Sequence, residues 1–201
     1  MVVGQVCRYA VATGRAINDP TPALRGAIQA NKNTHMAALT DPRDVGALMR
    51  AIADYQGGPA VRTALLVSAL TFQRPGNVRA MEWSDVNLDA GLWTIPAAKM
   101  KRKKEDKENG PPHLVPLSAQ AVAALRALHA VTGHGGLVFP GERSHDRPIS
   151  ENTVTTALRT MGYARDQMVA HGFRAMARTL LDEVLEEPVA VIEAQLAHKV
   201  R

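Results

Sequence analysis

The sequence predicts a mainly α-helical α+β domain that carries one small three-stranded antiparallel sheet. Most of the chain places apolar residues three and four positions apart, which is the spacing of amphipathic helices. Between residues 86 and 116 the pattern changes to short β-prone segments separated by a turn and a polar loop. With 201 residues, of which 46% are hydrophobic, the chain can bury a core in one domain, or in one domain and a fragment of another.

The charge balance favours an anionic partner such as duplex DNA, although ribosomal and membrane-surface proteins share this property. The formal net charge is +5 and the sequence pI is about 9.7. Aromatic residues make up only 4%, too few to stack unpaired bases, so contact with duplex phosphates is expected. The single cysteine, Cys7, excludes a disulfide framework and a thiolate metal cluster. With no signal peptide or membrane span in the sequence, we expect a cytoplasmic protein with no membrane partner.

The N-terminal region predicts the end of a helix followed by a linker. Residues 1–14 have the pattern of the last helical turns, and the Pro-rich segment at 18–22 breaks that helix. The polar stretch through Thr34 is typical of a linker, so the main domain is expected to begin at Met36. Because the opening helix has no preceding partner, the chain resembles a piece of a longer protein.

Helix signals then recur along the main domain. Asp41 can cap a helix that begins with Pro42, and the helix from Ala60 to about Phe72 is apolar on nearly all sides, which predicts a place at the centre of the core. Arg74 follows in a turn, where a charge is costly unless it is paired or faces a cleft. A surface arginine is the alternative. Further helices are expected after the caps Ser118 and Ser150 and after Pro188.

The sheet is predicted from three segments, namely 86–88, 92–96 and 113–116. The first two are joined by a turn at Asp89-Ala-Gly91 and form a hairpin. Between the second and third segments, the run from Lys99 to Gly110 holds six basic residues. Its outer part, from Lys103, is expected to be a solvated loop. A lysine where the loop leaves the strand has a fixed backbone position, so its side chain can be directed at a ligand.

The stretch 170–187 predicts an amphipathic helix with two different faces. One face carries apolar residues, which are Phe173, Met176, Ala177, Leu180, Leu181 and Val184. The helical angle places His171, Arg174 and Arg178 together on the opposite side. The donors of a helix N-terminus would add to this cluster, so a phosphate is the natural ligand. The alternative is a solvated basic face on a surface helix.

Four separated motifs resemble the catalytic domain of the tyrosine recombinases, the phage integrase family, and especially integrases of prophages and genomic islands. They are Arg74-Pro-Gly, Lys99 at a strand end, His171-Gly-Phe-Arg174 and Leu196-Ala-His198, in the family's order. The resemblance implies a helical DNA breaking-rejoining catalytic domain over residues 36–201. It also implies that residues 1–35 are the end of the preceding core-binding domain and its linker.

The resemblance implies site-specific recombination through a phosphotyrosyl intermediate, with no metal or nucleotide cofactor. Arg74 and Arg174 would stabilise the charge of the transition state. His171 would hydrogen-bond the phosphate and handle the nucleophile's proton, and His198 would be a second donor. Lys99 would protonate the leaving oxygen, with Lys101 as the runner-up. We expect the five residues in one basic cleft, with Lys99 on a mobile hairpin. Further DNA contacts are expected from Lys101, Arg102, Arg178 and Lys199.

Three departures from the family pattern affect these expectations. Asn77 stands where an acidic residue is usual after Arg-Pro-Gly, and Arg178 occupies a position usually held by a small residue. The three tyrosines, Tyr9, Tyr55 and Tyr163, do not match the family's nucleophile, which should follow His198. We therefore expect a catalytic domain truncated before its nucleophile, by design, by proteolysis or as a gene remnant. Such a fragment would be monomeric and would form no covalent DNA adduct, whereas the full-length family acts as a homotetramer on attachment sites.

Two other functions compete with recombination. One is a duplex DNA-binding module without chemistry, derived from an integrase, which the intact set of five residues disfavours. The other is a metal-dependent hydrolase that uses His171 and His198. No carboxylate pairs with either histidine at ligand spacing, and the two nearby arginines would repel a cation, so no metal site is expected.

Overall fold

The computed structural model describes residues 2–24, 26–27 and 36–198, and the chain divides into two compact units at Met36. The first unit contains helix α1, Val2–Ala12, and a 3₁₀ turn, Thr21–Leu24. Asp19 stabilises that turn, because its carboxylate accepts hydrogen bonds from the Thr21 backbone N–H at 2.9 Å and from the Thr21 hydroxyl at 2.7 Å. The helix predicted within residues 1–14 is therefore present.

The second unit is mainly helical. Its α-helices are α2 (Pro42–Ala53), α3 (Pro59–Thr71), α4 (Pro75–Arg79), α5 (Lys104–Asn109), α6 (Ala119–Thr132), α7 (Thr153–Thr160), α8 (Gly172–Thr179) and α9 (Val189–Gln195). Its strands are β1 (Val86–Asn87), β2 (Leu92–Ile95) and β3 (His113–Pro116). Short 3₁₀ turns cover Trp83–Asp85 and Ala97–Lys99, and a π-helical turn covers Leu180–Val184.

The three strands form one antiparallel sheet in the order β1-β2-β3, which confirms the predicted fold class. Trp93 and Ile95 on β2 point into the core, and Ile95 lies opposite His113 on β3. His113 and Val115 are buried, whereas Leu114 between them is exposed, as expected for a strand with one covered face. The sheet thus places His113 on the inner side.

Helix α3 lies at the centre of the core, as its sequence predicted. Ala64, Leu65 and Val67 are completely buried, and the helix packs against α2, α4, α6 and α7. Local caps also follow the sequence. Asp41 accepts a hydrogen bond from the Arg43 N–H at 2.8 Å at the start of α2. Helix α2 therefore begins where its short-range signals indicate.

Two predicted boundaries are wrong. Helix α7 begins at Thr153, and the residue at its N-cap position is Asn152, whose side chain makes no capping hydrogen bond. The Ser150 hydroxyl accepts from the Asn152 N–H at 3.3 Å in the turn before the helix. The segment from Lys103 to Gly110 is not a plain loop, because it contains the exposed helix α5. Acidic residues in the first turn of α5 and a 4.0 Å ion pair between Lys104 and Glu108 favour that helix.

The helix predicted over 170–187 is shorter and changes geometry. Regular α-helix ends at Thr179, and the π-helical turn carries the chain to Val184, which is 50% exposed. A π turn contains an extra residue, so it rotates later side chains out of the apolar stripe. Phe173, Met176 and Ala177 are buried as predicted, whereas Val184 is not.

Candidate anion-binding site

Most of the predicted site residues line two adjoining cavities of about 600 and 870 Å³ in the second unit. Arg74 and Lys101 line both cavities. The first is also lined by Lys99 and His171, and the second by Arg102 and His198. We call these two cavities together the cleft. Arg174 lies behind it and is only 5% exposed.

Arg74 presents an unpaired charge to the cleft. It immediately precedes α4, whose first residue is Pro75, and its side chain is half-buried. In the described part of the chain, the Arg74 guanidinium has no hydrogen-bond or ion-pair partner. Burial, and secondarily the charge of Arg102, lowers the pKa of Arg74. Arg74 is therefore a partly desolvated cation that an anion in the cleft would stabilise.

Arg174 is anchored by the backbone. Its Nη1 donates to the Phe72 carbonyl at 2.8 Å, and its Nη2 donates to the Leu196 carbonyl at 2.7 Å and lies 2.9 Å from His198 Nε2. Burial, then the charge of Arg74, lowers the pKa of Arg174 to about 10, opposed by Glu193, so the group stays charged at neutral pH. The predicted position on the face opposite the core is wrong, because this side chain reaches into the protein to satisfy those carbonyls.

Both backbone partners of Arg174 lie beside unusual backbone conformations. Phe72 has φ of 59°, and Ala197, which follows Leu196, has φ of 51°. A left-handed conformation costs a residue other than glycine roughly 1–2 kcal/mol. A guanidinium has five N–H donors, of which three are directed at these partners and His198, so two remain for a ligand. The hydrogen bonds that Arg174 donates to the Phe72 and Leu196 carbonyls offset the cost of these conformations, and they hold the guanidinium in a fixed position.

His198 belongs to a chain of hydrogen bonds. Its Nδ1 lies 2.6 Å from Glu193 Oε2. Because a carboxylate only accepts, Nδ1 carries the proton and Nε2 faces Arg174. Arg178 binds the other Glu193 oxygen through Nε at 3.1 Å and Asp182 at 2.6 Å. Arg178 thus braces Glu193 and is not among the residues that line the cleft.

His171 occupies the position just before α8, where its side chain makes no capping hydrogen bond, and it lines the first cavity. Burial, followed by the charges of Arg174 and Arg74, lowers the pKa of His171, so the imidazole is neutral at pH 7 and can accept a proton. The next residue, Gly172, allows a close approach, because a Cβ there would lie 2.3 Å from the Ala37 carbonyl oxygen.

The two lysines at the loop root differ. Lys99 Nζ lies 2.6 Å from Asp85 and 2.8 Å from Glu82, in the 3₁₀ turn after β2. Burial lowers the pKa of Lys99, but the hydrogen bonds and charges of Asp85 and Glu82 outweigh it, and the net pKa shift is upward. Instead of lying on a mobile hairpin, Lys99 is held by two carboxylates. Lys101 lines both cavities and its charge acts on His171.

The remaining predicted contacts are distributed around the cleft. Arg102 lines the second cavity, and its Nη1 donates to the Pro111 carbonyl at 2.6 Å. Asn77 lines the first cavity and donates to Met100 Sδ at 3.4 Å. Lys199 lies outside the described residues.

Two residues near the cleft were missed from the sequence. Glu193 lies on α9, five residues before His198, and no sequence motif marked it. His113 was assigned only to a strand, although it occupies an inward-facing position next to Val115. The sequence signal that could have identified His113 is a polar residue at a strand position that faces the core.

The tyrosines of the second unit lie elsewhere. Tyr55 lines a separate cavity with Val61 and Pro148, and Tyr163 packs against the core. Burial, then the charge of Asp44, raises the pKa of Tyr163. Neither phenol lines the cleft as described.

Residues 2–24, 26–27 and 36–198 contain neither a metal-binding cluster nor a helix that could span a membrane. No group of three or more His, Cys, Asp or Glu side chains is arranged to hold a metal ion. No helix in the same residues has the length and apolar character needed to cross a bilayer.

The helical fold with its small three-stranded antiparallel sheet is that of a DNA breaking-rejoining catalytic domain. The chain belongs to the phage integrase family, whose model matches residues 39–200. It is 36% identical to the integrase of Enterobacteria phage P4, over 99% of this chain and 46% of that protein. It is 34% identical to the prophage integrase IntS of Escherichia coli K12, over 97% of this chain and 48% of that protein. The chain thus spans about half the length of these curated relatives.

Solved structures share the fold. A lambda integrase dimer bound to a COC′ core site superposes with a TM-score of 0.67 at 19% identity, over 98% of this chain and 54% of that chain. A lambda integrase tetramer bound to a Holliday junction gives the same TM-score and identity, over 98% of this chain and 56% of that chain.

Proposed function

We propose that this chain is the catalytic domain of a site-specific integrase and that its cleft binds the DNA phosphate at which strands are cut and rejoined. The observation that carries the proposal is the unpaired Arg74 guanidinium beside the fixed Arg174–His198 pair. Arg74 lies close enough for its charge to lower the pKa of Arg174. Two neighbouring guanidiniums suit the nonbridging oxygens of a phosphodiester, and donors fixed in advance stabilise the extra charge of its transition state.

The proposed reaction is a transesterification. A tyrosine hydroxyl oxygen attacks phosphorus, the bond from phosphorus to the 5′ oxygen breaks, and a phosphotyrosyl ester and a free 5′ hydroxyl result. Neutral His171 accepts the phenolic proton. Arg74 and Arg174 hold the phosphate oxygens, and His198, whose Nε2 lies 2.9 Å from Arg174 Nη2, orients the Arg174 guanidinium. Because one phosphodiester is exchanged for another, the chemistry needs no metal or nucleotide cofactor.

Lys101 is the better candidate for the general acid. A general acid must reach the leaving oxygen and release its proton. Lys99 is bound to Asp85 and Glu82, and these partners hold its proton. Lys101, two residues further on, lines both cavities together with Arg74. We therefore assign the general-acid role to Lys101 instead of Lys99, because Lys99 is paired with two carboxylates.

The nucleophile is proposed to be a tyrosine other than Tyr9, Tyr55 and Tyr163. Tyr55 and Tyr163 lie outside the cleft. The relatives are about twice as long as this chain, and such a tyrosine belongs to the part of an integrase that this sequence does not include. A duplex DNA-binding module without chemistry is the second candidate, because the cleft is lined by cations without a phenol.

The remaining assignments complete the proposal. Residues 1–35 are the end of a core-binding domain and its linker, and residues 36–201 are the catalytic domain. The full-length protein acts in the cytoplasm as a tetramer on attachment sites, as the lambda integrase tetramer on a Holliday junction supports. This chain alone is a monomer.

The test measures binding of a fluorescent duplex by anisotropy between 50 and 200 mM salt. With about four phosphate contacts, the affinity should fall on the order of 100-fold. Arg126→Ala removes a cation that pairs with Asp89 outside the cleft and is the matched control for Arg74→Ala. Equal binding by both variants, or affinity independent of salt, contradicts the proposal.

The covalent step is tested with nicked duplex on a denaturing gel. This chain should give no protein–DNA band, and a version extended through the next downstream tyrosine of its gene should give one. A band from this chain that disappears in Tyr163→Phe would show that Tyr163 is the nucleophile. No band from the extended version would favour the non-catalytic module.

A further inference from the structure

The cleft contains a histidine that the proposed reaction does not use. His113 begins β3 on the inner face of the sheet and is only 9% exposed. It lines the second cavity together with Arg74, Lys101 and His198. It therefore lies in the wall of the proposed phosphate site.

One ring nitrogen of His113 is unpartnered. Its Nε2 is buried and has no hydrogen-bond partner among the described residues. The ring also interacts with the backbone carbonyl of Gln195, which favours its charged form. Buried polar atoms are almost always hydrogen-bonded, because desolvation without a partner is costly. An unpaired nitrogen beside a cavity is the position at which a polar ligand would be bound.

The groups that face His113 are mostly cations. Arg74 comes from the start of α4, Arg174 from α8 and Arg102 from the segment after β2. The other charged or titratable residues around the second cavity are Lys101, Lys103, Asp106 and His198. Burial first, then the charges of Arg102, Arg74 and Arg174, lowers the pKa of His113, against the Gln195 carbonyl. The ring is therefore neutral while the arginines are not neutralised by an anion.

We propose that His113 is a further phosphate-binding residue, which takes up one proton when an oxyanion enters the cleft and then donates from Nε2 to that anion. A phosphate between the arginines would offset their charges, which add to burial in lowering the pKa of His113, and would so favour the protonated ring beside it. The proton comes from solvent on binding and returns to it on release. The inference rests on the proposed function, since it needs an anion in the cleft.

The first test follows the ring itself in the unmodified chain. Inorganic sulfate is the probe, because it does not titrate near neutral pH, and chloride keeps the ionic strength constant. The C2–H resonance of His113, assigned by its loss in His113→Gln, should move towards the imidazolium position as sulfate is added at pH 7. The resonance of His129, which packs against Trp83 at 4.7 Å between ring centroids, is the internal control.

The second test measures sulfate and duplex affinity between pH 8 and pH 6. One linked proton strengthens binding at most about tenfold per pH unit. His113→Gln should lose part of this pH dependence, while His171 keeps its own part, and His129→Gln should behave as the unmodified chain. Gln preserves the polarity of the side chain, and circular dichroism checks the fold.

The outcomes separate the two proposals. If sulfate binds and Arg74→Ala abolishes binding, but the His113 resonance stays fixed and His113→Gln keeps the full pH dependence, the inference is wrong and the phosphate site stands. If neither sulfate nor duplex binds to the unmodified chain, the phosphate site itself is wrong. A shifted resonance with a reduced pH dependence in His113→Gln supports both.

Discussion

The two walls of the cleft are built differently. The inner wall holds Arg174 and His198, whose polar atoms are bound to backbone carbonyls and to Glu193. The outer wall holds Arg74 and Lys101, whose side chains have no hydrogen-bond partner among the described residues. The inner wall is therefore fixed by folding, whereas the cations of the outer wall are available to the proposed phosphate. A substitution in the inner wall should reduce stability, and one in the outer wall should reduce binding.

Arg174→Ala is expected to have the largest effect. The substitution removes hydrogen bonds to the carbonyls of Phe72 and Leu196 and leaves both without their charged donor. Because a hydrogen bond to a charged group contributes about 1.5–3 kcal/mol, the free energy of unfolding should fall by about 3 kcal/mol or more. Urea denaturation measures it, with Arg126→Ala as the control. A loss below about 1 kcal/mol would show that the inner wall is not structural.

Arg74→Ala should show the opposite pattern. The guanidinium makes no hydrogen bond or ion pair with the described residues, and its partial burial is unfavourable to the charge, so the free energy of unfolding should change by no more than about 0.5 kcal/mol. Loss of one phosphate contact should weaken duplex binding by about tenfold and reduce the slope of log affinity against log salt by about one. Destabilisation comparable to that of Arg174→Ala would remove the distinction between the walls.

The pH dependence of stability reports on one histidine from each cavity of the cleft, His171 in the first and His113 in the second. The pKa of each is lowered by folding, so the unfolded chain binds protons first as the pH falls through the ordinary value of about 6.5. The free energy of unfolding should therefore decrease below about pH 6.5, and the double variant with Gln at both positions should lose that part of the decrease. Saturating sulfate should also reduce it. Identical profiles for the double variant and the unmodified chain would contradict these pKa shifts.

The smallest expected effect distinguishes Lys99 from Lys101, the two lysines at the start of the segment that follows β2. Lys99→Ala removes ion pairs with Glu82 and Asp85 near the surface and should lower the free energy of unfolding by about 0.5–1 kcal/mol, with little effect on duplex affinity. Lys101→Ala should leave stability unchanged and weaken duplex affinity. Urea denaturation and anisotropy measure both quantities. The reverse pattern would return the general-acid role to Lys99.

The fold was predictable where the determining signals are local. Asp41 caps its helix through a neighbour two residues away, and the all-round apolar pattern of α3 placed it in the core. The strand segments also followed from short patterns. The start of α7 and the presence of α5 differ from the prediction, because several nearby polar residues compete for the same helix boundary.

The chemistry of the cleft was predictable as a set of residue types but not as a set of partners. Arg174 points into the protein because it donates hydrogen bonds to the carbonyls of Phe72 and Leu196, which lie 102 and 22 residues away in sequence. Helical periodicity does not detect partners at such sequence separations. Lys99 differs from Lys101 because Asp85, 14 residues earlier, binds it. His113 emerged only when the sheet placed it beside the arginines. Long-range packing decides each of these cases.

The most direct test of the cleft is a crystal structure with tungstate, a tetrahedral phosphate mimic whose tungsten atom is located by anomalous scattering. The expected result is one strong peak within hydrogen-bonding distance of the guanidiniums of Arg74 and Arg174, and its loss in Arg74→Ala. A peak elsewhere on the second unit with an empty space between the two arginines would contradict the assignment of the cleft as the phosphate site.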